Sequence, residues 1–117
     1  MEKTNLESFT EKVVEHSLSL VDERGIYAED FERKVIGYLS GIFPNSEHEK
    51  LLRVYNVFQW EMVCNPDSPL DYVFPEKEGG KARIFFKNGF PDNSILTKKM
   101  IERYGPVLNQ RIEDNLN

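Results

Sequence analysis

Cysteine is almost missing from this chain: Cys64 stands alone among 117 residues. One thiol closes no intrachain disulfide and builds no cysteine-based zinc cluster. Histidine is nearly as scarce, with only His16 and His48. Neither has a ligating residue four positions away, the spacing that builds a metal face on a helix. Long hydrophobic runs are absent too. The most apolar stretch, Leu51–Cys64, is interrupted by Arg53, Asn56, Gln59 and Glu61, so it does not span a bilayer. The start, Met-Glu-Lys-Thr-Asn, lacks the basic and then apolar pattern of a signal peptide. A soluble, cytoplasmic protein without a membrane partner is the expectation.

Catalytic signatures are missing in the same way. Gly79-Gly80-Lys81 has the wrong spacing for a phosphate loop. Ser17, Ser19, Ser40 and Ser68 lie in no nucleophile-elbow pattern. Asp67, Asp71 and Glu76 do not have calcium-loop spacing. Cys64, at the end of an apolar segment, reads as an inert thiol, since no histidine stands near it in the chain to activate it. No catalytic residue, metal ligand or cofactor is expected. The absence of repeats, low-complexity stretches and linkers predicts a single domain over residues 1–117.

What the chain does have is charge sorted by position. Residues 1–32 hold nine acids and three bases, and residues 77–103 hold seven bases and three acids, in a chain of net charge −5. Sorted charge orients encounters with charged partners. Aromatic residues make up 12% of the chain, enough bulk for a core despite 30% charged residues.

Hydrophobic periodicity predicts a helix-dominated α+β fold. Leu6, Phe9, Val13, Val14, Leu18, Leu20 and Val21 recur at helical intervals, with Thr4 and Glu7 at capping-box spacing and Gly25 as the stop. A second helix is expected from about Ala28 to Ile42, built on Phe31, Val35, Tyr38, Leu39 and Ile42. Its Gly37 and Gly41 suggest that another element approaches closely. A third helix, residues 46–64, starts at a Ser46/Glu49 capping box and is apolar around most of its circumference, so it is placed at the centre of the core. Pro66, Pro69, Pro75 and Pro91 then forbid a long helix. A β-hairpin over about residues 70–87 is expected, with strands Leu70–Phe74 and Lys81–Lys87. Asn88-Gly89 signals a further turn, and Asp92, Asn93 and Ser94 offer N-caps. The last helical region is expected to break or kink at Gly105-Pro106, for a total of four to five helices.

The strand Lys81–Lys87 is the sharpest candidate surface. Alternation puts Lys81, Arg83, Phe85 and Lys87 on one face, and Ala82, Ile84 and Phe86 on the buried other. Lys98, Lys99 and Arg103 extend the basic region. These seven residues are the expected partner-binding set, Arg83 and Phe85 first, because arginine and aromatic residues dominate interface hot spots. The competing bland reading is an edge strand guarded by lysine and arginine. The leading functional expectation is a small non-enzymatic regulator or inhibitor, of the immunity-factor or phage-modulator kind, that binds another protein and could pair with itself. The first alternative is single-stranded nucleic-acid binding through residues 77–103, with cations on phosphates and Phe85 stacked on a base. The second is an enzyme whose site is assembled from distant residues such as His16, His48 and Cys64.

Overall fold

The structure, a computed structural model, describes residues 5–75, 77, 79–87 and 93–116, and of these the side chains other than those of residues 5–8, 93–95 and 97. The Thr4/Glu7 capping pair, the Asn88-Gly89 turn and the Asp92, Asn93 and Ser94 caps lie outside those residues and side chains.

The apolar stripe of the first segment makes α1, Asn5–Ser19. Val13, Val14 and Leu18 are buried along it, and the Ser17 hydroxyl donates back to the Val13 carbonyl at 2.7 Å. The helix stops six residues before Gly25. The Leu20 and Val21 amides close it with short bonds to the Ser17 and Leu18 carbonyls. Gly25 instead serves a later turn: its N–H donates to the Asp22 carbonyl, and its φ of 76° is one that glycine adopts without strain. That turn feeds a two-residue strand, β1 (Ile26–Tyr27), which is too short for any periodicity to announce.

Helix α2 spans Ala28–Ile42, as periodicity predicts, and buries Phe31, Val35, Ile36 and Leu39. The expectation for its glycines is corrected. A Cβ added at Gly37 or Gly41 would meet nothing within 4 Å, so neither admits a close neighbour. The central segment is α3, His48–Gln59, continued by a π-helical turn over Trp60–Cys64. The Ser46/Glu49 capping box does not form. Glu47 is the N-cap without a side-chain bond, and Glu49 pairs with Arg53 at 2.8 Å along the helix instead. Asn65 in extended conformation, followed by Pro66, ends the segment.

The hairpin is β2 (Leu70–Val73) and β3 (Arg83–Phe86). With β1 it makes a three-stranded antiparallel sheet in the order β1-β3-β2. Ile26 and Tyr27 face Ile84 and Arg83; Leu70, Asp71, Tyr72 and Val73 face Phe86, Phe85, Ile84 and Arg83. The expected break at Gly105-Pro106 does not occur either. Helix α4 runs unbroken from Asn93 to Leu116 with Pro106 inside it. Packing explains the override: α4 lies along α1, buries Met100, Tyr104, Leu108 and Ile112, and seats Gly105 against Thr10. Just beyond the proline, the Thr10 hydroxyl donates to Oδ1 of Asn109. The tertiary contact on both sides of Pro106 offsets the ladder bond that it removes.

The fold is thus helix-dominated α+β: four α-helices and a small sheet. Segment α3 with its π turn touches α2, α4 and β2, and the buried residues of all elements form one continuous cluster. Among the described residues no helix is long and apolar enough to cross a membrane.

Candidate interaction face on the sheet

Antiparallel pairing sorts the sheet into two faces. Leu70, Tyr72, Ile84 and Phe86, with Ile26, turn toward the helices; Leu70 and Ile84 are fully buried. Tyr27, Asp71, Val73, Arg83 and Phe85 turn away from them. Register puts Tyr27, Arg83 and Val73 in one row across the three strands, with Arg83 in the middle. Tyr27 is 41% and Val73 43% exposed, and the next residue, Phe74, is 75% exposed. Exposed apolar side chains scattered singly are ordinary; a row of them beside a cation is less so.

Arg83 is held by rings. Its guanidinium carbon lies 4.8 Å from the Tyr27 ring centre and 5.4 Å from that of Phe85. Its Nε is buried and has no hydrogen-bond partner among the described residues. Phe85 lies directly on the Gly25 backbone: a Cβ at Gly25 would sit 2.7 Å from its ring and 2.6 Å from the Ile84 carbonyl. Lys81 adds a second cation 5.6 Å from Tyr27. Its ammonium is already paired with Glu29 at 2.6 Å, and that bond raises its pKa above the ordinary lysine value.

The seven expected contact residues do not form one patch. Lys81, Arg83 and Phe85 gather around Tyr27. Lys87 and Arg103 meet at another place, the Pro66–Asp67 loop: Lys87 Nζ donates to the Pro66 carbonyl at 2.8 Å, and Arg103 lies 3.5 Å from the Asp67 carboxylate. Lys98 and Lys99 stand exposed on α4. The guarded-edge reading of Lys81–Lys87 is corrected, because β3 is the central strand and β2 and β1 are the edges. Glu29, from the acid-rich part of the chain, and Lys81, from the base-rich part, are bonded to each other.

No family model matches the chain, and neither curated proteins nor solved structures give a significant match.

His16 stacks on Tyr38 with ring centres 4.4 Å apart. Partial burial, aided by the Lys34 charge, holds its pKa below 6.5. The folded state therefore disfavours protonated His16. Its neutral form is stable above about pH 6.5, and stability falls as pH drops below that value toward the lower folded-state pKa. Melting temperature between pH 7 and pH 5 should fall less steeply in a His16→Gln chain than in the wild type. His48 stands at the exposed start of α3, on the rim of an open groove of about 470 Å³ whose walls include Glu32, Gly37, Ser40 and Leu51. Burial pushes the Cys64 thiol up, away from the thiolate that a nucleophile needs. The Tyr55 hydroxyl is raised by burial and then by Glu32, Tyr72 and Cys64, so it keeps its proton. Among the described residues no group of three or more His, Cys, Asp or Glu could hold a metal ion.

Sequence reasoning missed Tyr27, Val73 and Phe74. The only available signal was the aromatic and β-branched composition of those two short segments. Register alone puts Tyr27 and Val73 beside Arg83.

Proposed function

We propose that this chain is a small protein-binding regulator or inhibitor, acting in the cytoplasm, and that it receives its partner on the outer face of the sheet around Arg83. The observation that carries the reading is the ring-held guanidinium. Tyr27 and Phe85 pre-order Arg83 and leave its Nε unpaired, so little side-chain entropy is lost on binding. A partner fits this face with a carboxylate for Arg83 and apolar groups for Tyr27 and Val73. Arginine beside aromatic residues is the usual composition of an interface hot spot.

The same geometry favours a protein over a polyanion. Lys81 and Arg103 are already engaged by carboxylates, and Asp71 shares the face with Arg83. A strand of phosphates would lose those cations and meet that acid.

The test is quantitative capture from the native cell with three baits: wild type, Arg83→Glu, and Lys98→Glu combined with Lys99→Glu. One stoichiometric protein should be captured by the first and third baits. Its recovery on Arg83→Glu should drop by roughly 30-fold or more, the loss of a hot spot of about 2 kcal/mol. Equal recovery on all three baits overturns the reading. So does single-stranded RNA binding that falls steeply with salt while no protein is captured.

A further inference from the structure

The backbone bonding of the sheet identifies a second surface, independent of Arg83. The Ala28 N–H donates to the Ala82 carbonyl at 2.9 Å, in register with the Ile26–Ile84 pair. Even-numbered residues of β3 therefore turn their backbone groups toward β1. The Lys87 N–H donates to the Pro69 carbonyl at 2.9 Å, in register with the Asp71–Phe85 and Val73–Arg83 pairs. Odd-numbered residues of β3 therefore turn toward β2. On β2 it follows that Asp71 and Val73 bond inward, and that Leu70 and Tyr72 point their backbone groups away from the sheet.

Part of that edge is already used. The Leu70 N–H donates to the Ser68 hydroxyl at 3.1 Å. What remains is the Leu70 carbonyl and both backbone groups of Tyr72, none of which has a partner among the described residues. Phe74, the next residue in the alternation, offers its N–H in the same direction. This set is symmetric about Tyr72. In an antiparallel pair centred there, two bonds join Tyr72 to Tyr72, and the Phe74 N–H of each strand reaches the Leu70 carbonyl of the other.

The side chains have the same symmetry. Pro69-Leu-Asp-Tyr-Val-Phe-Pro75 reads as proline, apolar, x, Tyr, x, apolar, proline in both directions. Neither proline removes a donor from the edge, because odd positions face β3. The strand carries one formal charge, Asp71, and two-fold pairing sets it against Val73 rather than against itself, so no like charges are opposed. Phe74, three-quarters exposed, would come to lie beside the second strand.

We infer that the β2 edge is a self-association site, where a second copy of this chain pairs antiparallel with Tyr72 on the two-fold axis and joins two sheets into one of six strands. The strand is short, so the dimer is weak and concentration-dependent.

Sedimentation velocity of the purified chain over a wide concentration range should show the 13.7 kDa monomer giving way to a species of twice that mass. Phe74→Lys, at an exposed site that leaves the core intact, should weaken association roughly tenfold, since the symmetric contact is lost twice. Register is read by cross-linking in a Cys64→Ser background. Asp71 of one strand and Val73 of the other would form a non-hydrogen-bonded pair about 4.5 Å apart at Cα, close enough for a disulfide. An equal mixture of Asp71→Cys and Val73→Cys chains should therefore oxidise to the mixed dimer much faster than either chain alone. A monomer at every concentration overturns the inference and leaves the edge to a strand of another protein. A dimer whose cross-linking does not depend on mixing overturns it too, by placing the contact elsewhere. Both measurements use the pure chain, so they stand apart from partner capture at Arg83.

Discussion

An Ile84→Ala chain should lose about 2–5 kcal/mol of folding stability, the range for removing a large aliphatic side chain from a closed core site. Ile84 is fully buried on the middle strand, facing Ile26 on one side and Tyr72 on the other. Arg83 also faces both edge strands, but of the two only Ile84 is buried in the core. A domain of this size is commonly stable by only about 5–15 kcal/mol, so the variant would use up a large share of the margin. Urea unfolding followed by circular dichroism checks it: the midpoint should move well down with the slope unchanged. A shift of a few tenths of a kcal/mol would mean that the inner face of the sheet is not packed as described.

Gly25→Ala is the second large effect, by a different route. Its φ of 76° costs an alanine about 1–2 kcal/mol relative to glycine. The new Cβ would also press on the Ile84 carbonyl at 2.6 Å, a backbone atom pinned between two strands, and on the Phe85 ring at 2.7 Å. Gly79 supplies the control. Its φ is 83°, yet a Cβ there meets nothing within 4 Å. Gly79→Ala should show the conformational cost alone, and Gly25→Ala that cost plus the clash. Thermal melts of the two chains side by side measure the difference, and equal losses would remove the close approach of Phe85 to the Gly25 backbone. Gly25→Ala should also weaken partner capture, because Phe85 is one of the two rings that hold Arg83.

The helices were legible where a stripe was long. Phe31, Val35 and Leu39 recur every four residues along α2, and its ends fall where periodicity puts them. The centrality of Leu51, Val54, Tyr55 and Phe58 was legible for the same reason. Local signals without that support failed. Ser46 and Glu49 have capping-box spacing, but an exposed glutamate can pair with Arg53 instead. Pro106 reads as a break, but contacts with α1, distant in sequence, hold the helix together. The face around Arg83 was half legible. Alternation along one strand selects Arg83 and Phe85, but nothing in a linear pattern reports that Tyr27, more than fifty residues earlier, is their neighbour. For the same reason Lys87 and Arg103, close in charge and sequence to that set, belong to a different corner of the molecule.

The Thr10–Asn109 bond joins residues 99 positions apart. Helix α4, the element that α1 touches most, is synthesised only after α2, α3 and the strands between them. Until then mainly α2 covers α1, and a contact of such long sequence separation slows the completion of the fold.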